Sequence, residues 1–135
     1  GAAAVSGRPT YLLAGDLSAL HDLTALGTAG RLGIPATIVV LHNDGGGIFH
    51  FLPQAEALPD HFERHWGSPH GLDFVRAAAA FGVEAERVER RAGLGALLRD
   101  PPAAPRLLEV RTDRAANLRL HRELQRAVAA ALDGR

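Results

Sequence analysis

Cysteine is absent from the chain, which excludes a disulfide framework and thiolate chemistry. Nor is there a surplus of either charge. Fifteen basic residues balance 15 acidic ones, whereas a nucleic-acid-binding domain usually carries a basic excess. No apolar run approaches the roughly 20 residues that span a bilayer. The opening Gly1-Ala2-Ala3-Ala4-Val5-Ser6-Gly7 lacks the basic start and long apolar stretch of a secretory leader. It reads as the close of a helix that begins upstream, with Gly7 as its stop. What is present is ordinary for a globular protein, 47% hydrophobic and 22% charged residues. The expectation is one domain over 1–135 with its own core, cytoplasmic, with no membrane span and no nucleic-acid partner.

Apolar runs and helical stripes alternate along the chain. Thr10–Ala14 reads as a first strand ending at Gly15-Asp16. Ser18 is placed to cap the next helix, with Asp22 in its first turn. Leu20, Leu23 and Leu26 form its inward stripe, and Gly30 and Gly33 finish it. Ala36–Leu41 is a continuous apolar run, the pattern of a buried parallel strand. Ile48–Leu58 reads as a loop punctuated by proline, and Asp60–Trp66 as a short helical turn. Asp73 caps a helix through Phe81, which Gly82 stops. Val83–Val88, a helix at Ala92–Leu98 and Arg106–Arg111 follow. Ala115–Leu132 is the last helix, its start organised by Asp113 and Asn117. There Leu120, Leu124, Val128 and Ala131 are spaced for one buried stripe. The repeated strand–helix order predicts an α/β fold with a mostly parallel sheet covered on both faces.

The chemistry concentrates where two strands end. In open α/β sheets, ligands sit at the carboxyl ends of strands. If the first two strands are neighbours, Asp16 and Asn43 meet at one rim of the sheet. A carboxylate, an amide oxygen and a backbone carbonyl suit Mg²⁺, which takes hard oxygen ligands in octahedral array. The remaining positions would fall to phosphate oxygens and water. Glycines at 15, 45, 46 and 47 admit close backbone approach, and the amides of Leu17 and Ser18 at a helix start suit an anion. Turn and cap chemistry also accounts for an Asp and an Asn at such places.

Gly15-Asp16-Leu17-Ser18 followed by His42-Asn43-Asp44-Gly45 resembles the Gly-Asp-Gly…Asn-Asn signature of thiamine-diphosphate enzymes. Two longer stretches narrow the resemblance. These are Asn43 through Pro53 (NDGGGIFHFLP) and Phe62 through Phe74 (FERHWGSPHGLDF). Both are similar to the 2-succinyl-5-enolpyruvyl-6-hydroxy-3-cyclohexene-1-carboxylate synthase family of menaquinone biosynthesis. The resemblance implies a three-layer α/β/α pyrophosphate domain, truncated at its N-terminus, in a longer multidomain transferase. It implies thiamine diphosphate and Mg²⁺, with Mn²⁺ as a substitute. Asp16, the Asn43 side chain and the Gly45 carbonyl would ligate the metal. Gly15, Leu17, Ser18, Asn43, Gly45, Gly46, Gly47 and Ile48 would hold the cofactor, and Ile48, Phe49 and Leu52 would shape the substrate pocket. The activating glutamate belongs to an N-terminal domain absent from this chain, so the resemblance places no catalytic residue here and implies that the chain alone is inactive. The intact enzyme would decarboxylate 2-oxoglutarate, add the product to isochorismate, and work as a homodimer or homotetramer with its N-terminal and middle domains. Leu17 departs from the signature glycine, and His42 stands where the first asparagine usually is, though that side chain is not the metal ligand.

Two other readings compete. One keeps the cofactor but makes the enzyme another decarboxylase or an acetolactate-synthase-like protein; the Gly46–Phe51 run argues against it. The other is a non-catalytic α/β binding module. His61 and His65, spaced i and i+4, have the separation of a zinc pair, but no third ligand is evident, and a solvated helical turn is expected. His50 and His70 read as polar loop residues without a catalytic role. Arg87, Arg90 and Arg91 with Glu84, Glu86 and Glu89 read as a solvated surface of mixed sign.

Overall fold

The computed structural model describes residues 1–134. Its centre is a four-stranded sheet in the order β1-β2-β4-β3, formed by β1 (Thr10–Gly15), β2 (Ala36–His42), β3 (Glu84–Arg87) and β4 (Arg106–Arg111). Every pairing is parallel, as the strand–helix alternation predicts. Between the strands lie α1 (Ala2–Ser6), α2 (Asp16–His21), α3 (Ala25–Leu32), α4 (Gln54–Ala57), α5 (Pro59–Phe62), α6 (Phe74–Ala80) and α7 (Arg91–Arg99). The chain closes with α8 (Arg114–Asp133).

Continuous apolar runs become the central strands because both faces of a parallel sheet are covered there. Val39, Val40, Leu107 and Leu108 are all buried. On one face Val40 and Leu107 pack with Leu26, Phe74, Ala78 and Val83, joined at the rim by Leu20, Leu23, Ile38 and Ala85. The outer strand differs. Leu12 and Leu13 point to opposite faces, and both are exposed, at 53% and 67%.

Several local expectations hold. Gly7 closes α1 in the left-handed conformation, φ 63°. Asp73 caps α6 by accepting from the Arg76 amide, and Asp113 caps α8 by accepting from the Ala116 amide.

Others need correction. The helix expected from Ser18 begins at Asp16, directly after Gly15, and Ser18 lies inside it without a capping role. It also breaks at Asp22, the C-cap of α2, before α3 starts at Ala25. Asp22 and Thr24 side chains compete poorly as helix interiors, and the break lets Leu20, Leu23 and Leu26 all reach the core. The stretch after Gly46 is no open loop. It forms a 3₁₀ turn at Gly47–Phe51, then α4, α5 and a π-turn at Glu63–Gly67. Finally, α8 buries none of its residues. Leu120, Leu124 and Val128, expected to face inward, are 53%, 54% and 60% exposed. Among the described residues the helix leans on the 3₁₀ turn, through Phe51 against His121, and ion pairs tie it to α4 (Arg122–Glu56) and to the π-turn (Arg114–Glu63).

Candidate functional site

The β1–β2 register sets Gly15 beside Leu41, so the two strand ends deliver Asp16 and Asn43 to one rim. Asp16 is 2% exposed. Its Oδ1 accepts from the Leu17 amide at 2.8 Å. Its Oδ2 accepts from the amides of Asn43 at 3.0 Å and Gly45 at 2.9 Å. One carboxylate thus ties the start of α2 to the loop after β2. The glycines of that loop answer to a second neighbour, the π-turn. At Gly45 (φ 128°) a Cβ would fall on the Gly67 carbonyl oxygen; at Gly46 it would meet the Trp66 carbonyl and the Phe49 ring. The Gly46 amide donates to Gly67 O at 2.7 Å and the Gly47 amide to Gly45 O at 2.9 Å. The bare backbone at this triplet therefore admits other parts of the same chain, and all three of its N–H groups are bonded internally.

Against the same rim lies a histidine pair, His42 buried and His70 partly so. His42 and His70 stack with ring centroids 5.2 Å apart and planes 14° apart. The Phe74 ring presents its edge to both. His70 Nε2 lies 3.4 Å from Asp16 Oδ2. Asp16, His42 and His70 offer ligand-type atoms all within 4.8 Å of one another. Asp44 holds the loop that carries His70: its Oδ1 accepts from the His70 and Gly71 amides at 3.1 and 2.8 Å. Asp44 does so from a left-handed backbone, φ 61°, and the Gly71 amide foremost holds its carboxyl below the usual carboxylate range. Beneath His42, Nδ1 meets Glu109 Oε1 at 2.5 Å. Glu109 has no exposed surface. Burial pushes its carboxyl up, but hydrogen bonds from His42, Arg87 and Arg111 outweigh that and hold it low. Arg87 reaches both Glu109 and Asp73, at 2.7 and 3.3 Å. It is thus a structural strut and not merely part of the solvated surface expected of it.

The chain as a whole has known counterparts. Residues 1–110 match the family described as thiamine pyrophosphate enzyme, C-terminal TPP binding domain. The chain belongs to that family. A relative from Myxococcus xanthus, 2-succinyl-5-enolpyruvyl-6-hydroxy-3-cyclohexene-1-carboxylate synthase, is 46% identical over 98% of this chain. The synthase of the same name from Rubrobacter xylanophilus is 50% identical over 92% of it. The chain spans 23% and 21% of those two relatives. Among solved structures, the thiamine diphosphate-dependent 4-hydroxybenzoylformate decarboxylase of Rhodococcus jostii superposes with a TM-score of 0.61 at 31% identity, over 76% of this chain and 19% of that one.

Thiamine pyrophosphate domains must hold a diphosphate, and the residues present fit a divalent cation beside one. Asn43 Oδ1 is buried without a hydrogen-bond partner, a costly arrangement for an oxygen unless something cationic or protic meets it. Asp16 Oδ1 keeps a lone pair beyond its single amide donor. Gly15, Leu17 and Ser18 stand at the same rim, at the entry to α2. Ile48, Phe49 and Leu52 follow the glycine triplet in the 3₁₀ turn and its C-cap and are 75%, 39% and 41% exposed; clustered exposed apolar side chains usually mark an interface or pocket wall. His61 and His65 lie apart from this site, their rings 6.4 Å from each other. The sequence reading missed His42 and His70 as neighbours of Asp16. The available signal was a histidine inside Ser68-Pro69-His70-Gly71, a stretch whose turn residues fold it back toward Asp44.

Proposed function

We propose that this chain forms the diphosphate- and metal-holding part of a longer carboligase of menaquinone biosynthesis. That enzyme decarboxylates 2-oxoglutarate and joins the succinyl-semialdehyde unit to isochorismate. The observation that carries the reading is Asp16: a buried carboxylate bridging two parallel strand ends, next to the orphaned oxygen of Asn43, in a chain 46% identical to a 2-succinyl-5-enolpyruvyl-6-hydroxy-3-cyclohexene-1-carboxylate synthase. Thiamine diphosphate, when bound, supplies the carbanion chemistry; the protein binds, orients and excludes water.

Asp16, the Asn43 amide oxygen and the Gly45 carbonyl take Mg²⁺ or Mn²⁺. Gly15, Leu17 and Ser18 at the entry to α2 face the diphosphate, with Gly46 and Gly47 leaving it room. Ile48, Phe49 and Leu52 wall the reaction pocket once the N-terminal and middle domains cover them. The activating glutamate comes from outside this chain, and the assembled enzyme is a homodimer or homotetramer acting in the cytoplasm.

In the enzyme expressed from its complete open reading frame, Asp16→Ala abolishes Mg²⁺-dependent thiamine diphosphate binding. Calorimetry checks this, and unchanged affinity refutes the ligand role. A second reading draws on the decarboxylase resemblance among solved structures. It predicts turnover of an aromatic 2-oxoacid or pyruvate in place of 2-oxoglutarate, so parallel assays with the three acids separate the two. The 135-residue chain alone is expected to be inactive, and carboligation by it unaided would overturn the division of labour.

A further inference from the structure

The ring of His70 is held on all sides, and its protons can be assigned from its neighbours. Its Nδ1 accepts from the Leu72 amide at 3.0 Å. The other carboxylate near that nitrogen, Asp44, is 3.8 Å away, beyond hydrogen-bond range. A nitrogen that accepts carries no proton, so the proton of the neutral ring sits on Nε2. That nitrogen is buried, has no hydrogen-bond partner, and lies 3.4 Å from the acceptor Asp16 Oδ2. With the proton there, His70 has no lone pair to offer at that position. The Asp16–His42–His70 trio is therefore not a ligand set for a transition metal, despite its compact geometry.

We propose that His70 is a positioning residue: it donates Nε2–H to Asp16 Oδ2 and so fixes the carboxylate for the divalent cation. This rests on the cation-holding reading of Asp16 given above. The donated bond occupies Oδ2, already met by two amides, and turns the free lone pair of Oδ1 outward to the ligand. The 3.4 Å separation is a few tenths of an ångström beyond a good hydrogen bond. The supports behind His70 point the same way. Asp44 fastens its backbone, His42 lies flat against its ring, and Glu109 in turn fixes His42. Partners behind a metal ligand orient it, and their removal typically costs 10–100-fold in metal affinity.

The test measures Mn²⁺ affinity, by electron paramagnetic resonance of the free ion, in the complete enzyme with thiamine diphosphate present. His70→Ala is expected to weaken Mn²⁺ binding about tenfold or more. His70→Gln, whose amide nitrogen falls near the position of Nε2, restores it to within about threefold of the parent. His70→Asn, which places its amide near Nδ1, does not. Alanine within about twofold of the parent overturns the proposal, as does equal recovery, or none, with the two amides. Should the alanine variant fail to fold, the Gln–Asn comparison decides alone. Asp16→Ala serves as the control. If it too leaves Mn²⁺ affinity unchanged, the cation reading itself falls; if it abolishes binding while His70→Ala does nothing, only the positioning role falls.

Discussion

Glu109 carries the heaviest charge traffic of any side chain in the core. It is wholly buried yet meets His42, Arg87 and Arg111. Removing one member of such a buried group leaves the others uncompensated, typically at 3–5 kcal/mol. Because Arg87 and Arg111 are partly exposed, the lower end applies, and Glu109→Gln is expected to cost about 3 kcal/mol at pH 7 in chemical denaturation. The sign with pH follows from the depressed carboxyl. Its contribution is fully present above the ordinary carboxylate range, about 4.3 for glutamate, and is lost as pH falls through the lower folded-state value. The gap between parent and variant therefore closes on acidification below that range. A gap that stays constant would show that charge is not the cause. Gly46 gives a steric counterpart. Alanine there meets the Trp66 carbonyl and the Phe49 ring, and overpacking against backbone costs roughly 1–3 kcal/mol. Equal melting temperatures for Gly46→Ala and parent would contradict that packing.

At the level of elements, the strands were the most readable part of the chain, because a buried parallel strand is written as an unbroken apolar run. The meeting of Asp16 and Asn43 was readable for the same reason: adjacent strands ending in polar residues can deliver them only to one rim. What could not be read was anything that depends on where a helix finds its partner. The 3.6-residue period of Leu120, Leu124 and Val128 marks an apolar face correctly, but periodicity says nothing about what, if anything, covers it. The structure leaves that face in solvent. Leu124→Ser is accordingly expected to shift stability by no more than about 0.5 kcal/mol, as for a surface position. A loss of 2 kcal/mol or more, typical of a truncated core leucine, would mean that the stripe is buried after all. The Asp16–His70 contact was hidden for a related reason. It needs the Ser68–Leu72 return, and that return hangs on a left-handed Asp44 whose conformation no propensity announces.

At the scale of the whole molecule, the family match ends at residue 110, just before the exposed final helix, while the candidate site lies wholly within it. The site is built where one half of the sheet meets loops from the other. Asp16 comes from the β1 side, and His70 and Asp44 are joined over the top of β2. Among the described residues the edge strand β1 is bonded to β2 alone. Its second row of amides and carbonyls is unclaimed by the sheet, and Leu12 and Leu13 flank it with oily side chains. Such a row is a template for any other extended chain. Produced alone, the polypeptide should zip onto copies of itself, eluting as mixed multimers whose proportion rises with concentration. A lysine in place of Leu13 should dissolve them.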